Sequence, residues 1–217
     1  TADSLTVVDA TTSVTFNEAL AIAGNVDIDS GGTILLKKGL TTTADGTVDL
    51  DATGVTTIEA DGDISADGAV SFGAATAGTL TTAGNIVTTN DNVTFTNAVT
   101  LSGNVDLDTG TGAGNILFSE TIAAADFNLA LDAGADGNVT LSKALTAGGT
   151  VTVRDGAVQS YQAITADSLT VVDATTSVTF NEELIIAGNV DIDSGGTILL
   201  KEGLTTTADG TVDLDAT

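Results

Sequence analysis

The chain has 217 residues, 42% of them apolar, which is enough length and enough apolar material to bury a core. Thirty Asp and Glu residues against five Lys and Arg give a net charge of −25, which disfavours binding to nucleic acid or to anionic membranes. Cys, His, Met and Trp are absent, which excludes thiolate chemistry, imidazole bases and the usual zinc and copper sites. No run of eighteen apolar residues occurs, so we expect a chain that is not embedded in a membrane.

From the N-terminus onward, short segments alternate apolar and polar residues with a period of two, as β-strands with one buried side do. The alternating pairs are Val26/Ile28, Ile34/Leu36, Val48/Leu50, Val70/Phe72, Val105/Leu107, Ile116/Phe118 and Val139/Leu141. Gly-Asn pairs and Asp residues separate these segments, as expected where corners need a positive φ. Because Pro is absent, every backbone N–H is available to pair with another strand. The sequence therefore predicts an all-β protein without helices.

The chain repeats itself on a large scale. Residues 1–53 recur as residues 165–217, an offset of 164, with 50 of 53 positions identical. The three differences are Ala19/Glu183, Ala21/Ile185 and Lys38/Glu202. We interpret residues 1–164 as one complete tandem unit and residues 165–217 as the start of the next, both within one continuous solenoid. A longer array of such units is the corresponding expectation.

Smaller repeats lie inside the large one. Residues 13–31 are identical to residues 92–110 at ten of nineteen aligned positions. At a shorter spacing, the segment Asn-Val-Asp-Ile-Asp is followed twenty-two residues later by the similar segment Thr-Val-Asp-Leu-Asp. Cutting the unit where Gly or Asp-Gly precedes a new strand gives eight segments of about 20.5 residues on average, too short for propeller blades. They also lack the leucine-rich consensus, but they fit the coils of a parallel β-helix. The predicted fold is a β-solenoid with about eight coils per unit.

Two columns of carboxylates are the chief chemical feature of this predicted solenoid. Val26 and Val48 would share one inward column, so strict alternation turns Asp27 and Asp49 outward, with Asp29 and Asp51 in a second outward column. The same pattern occurs elsewhere in the chain. The complete set of candidate metal ligands is Asp27, Asp29, Asp49, Asp51, Asp106, Asp108, Asp191, Asp193, Asp213 and Asp215.

Stacked carboxylates do not by themselves require a ligand. Two exposed carboxylates ~5 Å apart repel by only ~0.8 kcal/mol in water, so a solvated acidic face is the simpler interpretation. Weak binding of Ca²⁺ or Mg²⁺ is the alternative, and no cofactor is required in either case. The acidic stretch from Glu59 to Gly68 matches neither the EF-hand loop nor the calcium-binding nonapeptide, so it does not predict a high-affinity site.

An enzymatic role is a weaker hypothesis. Paired carboxylates serve glycoside hydrolysis, but no long insertion interrupts the coils to wall a cleft, and Arg154 is the one Arg. We therefore predict that the chain is not an enzyme. Tyr161, the one Tyr, stands beside Gln162, and as an exposed residue it would be able to contact a glycan.

The strings "NVTFTNAVTLSGNVDLDTGTGAGNILFSETI", "NLALDAGADGNVTLSKAL" and "SLTVVDATTSVTF" resemble the repeats of giant bacterial surface adhesins of the filamentous-haemagglutinin-like type. The resemblance extends over the whole chain and is carried by composition and periodicity. It implies a secreted, right-handed parallel β-helix that projects from the cell surface. It supplies no catalytic residue.

These observations together predict a structural repeat module of a large extracellular protein, forming a stalk or filament for adhesion or scaffolding at the bacterial cell surface. Its expected partners are neighbouring repeats of the same or like chains and, for adhesion, host or cell-surface glycans. A calcium-dependent module that cross-links rods or surface polysaccharide is the alternative. The two hypotheses differ in whether a chelator has any effect.

Overall fold

The computed structural model describes residues 2–73 and 78–217, and within them the chain forms 28 β-strands and no helix. Every pairing between strands is parallel and joins one turn of the chain to the next. This arrangement confirms the predicted all-β fold, a parallel β-solenoid. Each turn gives one strand to each of three faces, which we call the first, second and third face.

The first face begins with β1 and is extended by every later strand that stacks on it; its members are β1 (Leu5–Ala10), β4 (Val26–Ser30), β7 (Val48–Ala52), β10 (Val70–Phe72), β13 (Val93–Phe95), β16 (Ile116–Phe118), β19 (Val139–Leu141), the second halves of β21 (Thr150–Tyr161) and β23 (Ser168–Phe180), and β26 (Thr197–Leu200). The strands β21 and β23 are long because each continues through a corner of the solenoid.

The second face is a separate ten-stranded sheet; it contains β2 (Ser13–Phe16), β5 (Thr33–Leu36), β8 (Val55–Ile58), β11 (Thr79–Thr82), β14 (Ala98–Leu101), β17 (Ile122–Ala125), β20 (Leu145–Ala147), β22 (Ile164–Ala166), β24 (Leu184–Ile186) and β27 (Leu204–Thr206). The third face is joined to the first through β21 and β23; it contains β3 (Leu20–Ile22), β6 (Leu40–Thr42), β9 (Ile64–Ser65), β12 (Ile86–Val87), β15 (Val105–Asp108), β18 (Leu129–Asp132), the first halves of β21 and β23, β25 (Val190–Ser194) and β28 (Val212–Ala216).

The mean turn is slightly longer than the sequence predicts. On the first face, consecutive pairings lead from Leu5 to Ile198 in nine turns, a mean of about 21.4 residues per turn, which lies within the range of solenoid repeats. Individual turns differ in length: the turn from Val70 to Val93 is long, whereas the turn from Gln159 to Val178 is short. The expected value is lower because it counts each glycine-bounded segment as one turn, and the turns do not all begin at such a glycine.

The core is a set of columns in which each turn places one apolar side chain over that of the turn before. On the first face, Ile28, Leu50, Phe72, Phe95 and Phe118 follow one another and are all buried. The ring centroids of Phe72 and Phe95 are 5.2 Å apart and those of Phe95 and Phe118 are 4.3 Å apart, with the planes nearly parallel. Because the coils stack in register, similar side chains meet and fill the narrow interior.

Corners are closed by asparagine side chains that bond from one turn to the next. The Asn115 backbone N–H donates to Oδ1 of Asn92 at 2.8 Å, and the Asn138 N–H donates to Oδ1 of Asn115 at 2.9 Å. Oδ1 of Asn138 in turn accepts the backbone N–H of Val158 at 3.1 Å. These bonds satisfy backbone donors where the chain leaves the strands. The Gly-Asn pairs in the sequence therefore mark corners, as predicted. The expectation of a positive φ at their glycines is wrong, because the described glycines with a positive φ are Gly73, Gly110 and Gly134, none of which precedes an Asn.

One corner leaves no room for a side chain. A Cβ built on Gly32 would lie 1.5 Å from the carbonyl oxygen of Thr12 in the preceding turn. Its equivalent in the second copy, Gly196, would place a Cβ 1.9 Å from the carbonyl oxygen of Thr176. The same close approach of two backbones thus explains glycine at both positions.

We expect Phe95→Ala to destabilise the solenoid more than any outward substitution on the same strand. The change removes the middle ring of the phenylalanine stack, which corresponds to a loss of about 3–5 kcal/mol in the free energy of unfolding. Urea unfolding followed by circular dichroism measures the loss. Thr94→Ala, an outward change one residue away, is the control and should cost less than ~1 kcal/mol. Equal losses for the two variants would contradict the described packing.

Candidate functional site: the acidic columns

The structure places the first four candidate carboxylates in two outward columns on the first face. Asp27 lies opposite Asp49, and Asp29 lies opposite Asp51, because β4 and β7 pair in register with Val26 opposite Val48. Asp27 is exposed, whereas the other three are half-buried. The columns are two carboxylates long at this point, with Thr6 before Asp27 and Ser71 after Asp49.

The two columns are not equivalent. Asp49 is partnered, because the Ser71 hydroxyl donates to its Oδ1 at 2.7 Å. Asp51 is in a less favourable electrostatic environment: burial, followed by the charges of Asp49 and Asp29, raises its pKa to about 6. Among the residues that the structure describes, Oδ1 of Asp51 is buried and has no hydrogen-bond partner. This carboxylate is therefore the least well satisfied acid of the first face.

The candidates Asp106 and Asp108 lie on the third face and do not stack on other predicted acids. Asp106 is opposite Ala130, and its backbone N–H donates to Oδ1 of Asn85 at 2.9 Å. Asp108 is opposite Asp132, which is in turn opposite Asp155. The sequence pattern did not predict this three-membered acidic column. The signal for Asp132 was present, since Leu-Ala-Leu-Asp repeats Val-Asp-Leu-Asp one turn later.

The carboxylates of this column are largely occupied by the corner that follows them. Oδ1 of Asp108 accepts the Gly110 N–H at 2.7 Å, and Oδ1 of Asp132 accepts the Gly134 N–H at 3.1 Å. Asp155 accepts the N–H of Gly156 at 2.8 Å, while burial raises its pKa despite that bond. Local hydrogen bonds of this kind stabilise turns, so these carboxylates have a structural role in addition to their charge.

Arg154 neutralises part of the third face. It is the extra residue of a β-bulge, since Leu131 pairs with Val153 but Asp132 pairs with Asp155. The guanidinium reaches back two turns to Asp106, with Nη1 3.0 Å from Oδ2 and Nη2 bonded to Oδ1. Its Nε lies 3.4 Å from Oδ2 of Asp132 without forming a hydrogen bond.

The intervening turn leaves space for this contact. Ala130 separates Asp106 from Thr152 in the column, and its small side chain lets the Arg154 side chain pass over it. A two-oxygen contact of this kind has the geometry of a charge-assisted fork. The one arginine of the chain thus ties three successive turns together.

The last four candidates repeat the first columns in the second copy of the sequence. Asp191 lies opposite Asp213, and Asp193 lies opposite Asp215, on the third face. β28, which carries Asp213 and Asp215, is exposed along its whole length because no described strand follows it in the stack. The ten candidates therefore form two separate pairs of columns and one partly neutralised group, and they do not converge on one centre.

Within residues 2–73 and 78–217, no group of three or more carboxylates has the geometry to hold a metal ion. The predicted columns bring carboxylates together in pairs, which corresponds to a charged surface more closely than to a calcium cage of six to eight oxygens. The same described residues contain no helix long and apolar enough to cross a membrane.

The suggestion that Tyr161 is exposed and contacts glycan is wrong. Tyr161 is 1% exposed, packs 5.2 Å from Phe180, and donates its hydroxyl to Oε1 of the buried Gln159 at 2.6 Å. β21 turns the corner before this point, so Tyr161 continues the inward column of the first face. Burial raises the pKa of Tyr161 well above its ordinary value. Alternation in the sequence does not show which side chains point inward after a strand has continued through a corner.

The fold and the surface define this chain as a parallel β-solenoid with acidic columns on two of its three faces. Comparisons with protein-family models, with curated proteins and with solved structures find no match to it.

We expect Asp51→Asn to stabilise the protein at neutral pH. The folded-state pKa of about 6 lies above the unfolded value near 3.8, so ionisation opposes folding. The stability present below pH ~4 is lost as the pH rises to ~6, and the amide removes this loss. Since the side chain is only half-buried, screening reduces the gain at pH 7 to about 1 kcal/mol.

Urea unfolding at pH 4 and at pH 7 measures this effect. Asp215→Asn is the matched control, because Asp215 has the same local sequence on the uncovered strand β28. The control should change stability at pH 7 by less than ~0.5 kcal/mol. A pH dependence that is the same in wild type and Asp51→Asn would contradict the described environment of Asp51.

Proposed function

We propose that this chain is a structural repeat module of a large secreted bacterial surface protein, in which it forms part of an elongated stalk or extracellular filament for adhesion or scaffolding. One observation carries the proposal. The ladders run without interruption from the first copy of the repeated sequence into the second, so the start of a new unit simply adds further turns to the same stacks.

The surface supports a mechanical role. Most apolar residues lie in inward columns, and the outward positions are filled largely by Thr, Ser, Asp and Asn, with scattered exposed apolar residues such as Val87 and Ile185. Such a surface keeps a rod soluble, and its negative charge holds like rods apart. The partners that suit this role are neighbouring repeats of the same or like chains. Where the protein contacts a host or cell surface, glycans are the partners that would serve adhesion. We do not propose an enzymatic function, because the sequence contains no long insertion that would form the wall of a cleft.

The resemblance of the repeats to filamentous-haemagglutinin-like adhesins supports the location that we propose, outside the bacterial cell. A repetitive solenoid also suits this setting physically. Each turn contacts only its neighbours, so a stalk grows in length with the number of units and keeps its width.

Cross-linking of rods or surface polysaccharide by Ca²⁺ is the second candidate function. It is favoured by the position of Asp51, whose Oδ1 is unpartnered within the described residues and lies in register with Asp29. A divalent ion at this pair would raise the melting temperature of the protein in millimolar calcium, and a chelator would reverse the rise. If neither calcium nor the chelator changes the melting temperature, in wild type and Asp51→Asn alike, calcium binding is contradicted and the columns are a solvated acidic surface.

Small-angle X-ray scattering tests the stalk. The ten turns of the chain should form a rod about 48 Å long, from a spacing of ~4.8 Å per turn. Appending residues 54–217 in frame to the C-terminus should add about 37 Å in length, at about 21.4 residues per turn, and leave the cross-section unchanged. A larger cross-section after extension would overturn the rod. Antibody against the chain should also label intact cells of the source organism, and labelling confined to lysed cells would contradict the extracellular location.

A further inference from the structure

The two copies of the repeated sequence occupy different faces of the solenoid. Residues 5–10 of the first copy form β1 on the first face, whereas their equivalents, residues 169–174, lie in the first half of β23 on the third face. The next strands shift in the same way. Residues 13–16 are on the second face and residues 177–180 on the first, while residues 20–22 are on the third face and residues 184–186 on the second.

The shift does not disturb local packing, because each copy keeps its own pairings. Leu5 pairs with Val26 in the first copy, and Leu169 pairs with Val190 in the second. The irregularity between Val7 and Ala10 recurs at the equivalent place after Val171. The repeated sequence therefore determines its own contacts but does not determine which face of the rod it occupies.

The cause is the number of strands in a unit. Counting β21 and β23 twice, since each serves two faces, 23 strand positions separate β1 from its equivalent in β23. Three strands make one turn, so the 164-residue unit contains seven and two-thirds turns. A whole number of eight turns would need one more strand. Each new unit consequently begins one face away from the preceding one.

We infer that a tandem array of this unit presents every surface feature on the three faces in turn, and that the pattern returns only after three units. This inference rests on the proposed stalk. Three units comprise 492 residues and 23 turns, a length of about 110 Å. The acidic columns of Asp27 and Asp49 therefore appear on all sides of the rod, with an axial step of about 37 Å and a rotation of one third of a turn between units.

The rotation between successive units determines how a partner is able to contact the rod. A partner that binds one face meets the same surface only at every third unit. Contacts along one side are thus spaced by about 110 Å, while equivalent contacts are available on the other two sides. An array built this way has no single adhesive side, and its charge repels neighbours in all directions.

Gold labelling of an extended chain tests this arrangement. The full chain is lengthened by two further copies of residues 54–217, and Cys replaces Asp27, Asp191 and their equivalent in each added unit. Both positions are exposed, and the chain has no other cysteine, so each unit carries one maleimide-gold label. Electron microscopy of single rods then gives the side and the axial position of the four labels.

We expect successive labels to lie about 37 Å apart on different sides, with the fourth returning to the side of the first at about 110 Å. A control with Cys at positions 27 and 140 places two labels five turns apart in one stack, which measures any gradual twist of the rod. After correction for that twist, four labels in one line would overturn the inference and leave the stalk intact. Globular particles, in contrast, would overturn the proposed stalk itself.

Discussion

The backbone hydrogen bonds between consecutive turns are the constraint on which the rest of this structure depends. Val26, Val48, Val70 and Val93 each donate the backbone N–H to a carbonyl of the following turn, at 2.8 to 2.9 Å. Because every pairing is parallel and nearly in register, a position in one turn lies over the corresponding position of the next. Similar residues then form columns, inside as aliphatic and aromatic stacks and outside as rows of carboxylates and hydroxyls.

The acidic columns follow from this geometry and do not require a ligand to explain them. Asp29 and Asp51 are in register because their strands are. Burial, followed by repulsion from Asp49 and Asp29, raises the pKa of Asp51, and this repulsion is the cost of stacking the acids. The structure limits this cost by interrupting the columns. Ser71 follows Asp49 and donates to it, Ala130 follows Asp106, and Arg154 reaches across the alanine to pair with Asp106. Long unbroken rows of acids therefore do not develop among the described turns.

Much of the fold was predictable from the sequence, because near-identical segments spaced by one turn show directly which residues of consecutive turns lie opposite each other. Val26, Val48 and Val70 share a column for this reason, and the outward direction of Asp27 and Asp49 follows from alternation. Prediction failed where the turn length changes. The chain between Val139 and Val178 makes two shortened turns and carries strands through corners, so alternation gives no register there. The buried position of Tyr161, the bulge at Arg154 and the fraction of a turn in each unit all arise from this irregularity.

Stacking in turns also determines how such a rod responds to tension. A pull along the axis acts on a terminal turn, which is held by ladders on one side only, so turns should detach singly from the ends. A detached turn of about 21.4 residues extends to roughly 70 Å, whereas it occupied only ~4.8 Å of the rod. We therefore expect a rod built from this unit to be stiff at low load and to become a long, yielding tether at high load, and refolding onto the remaining turns should restore its length.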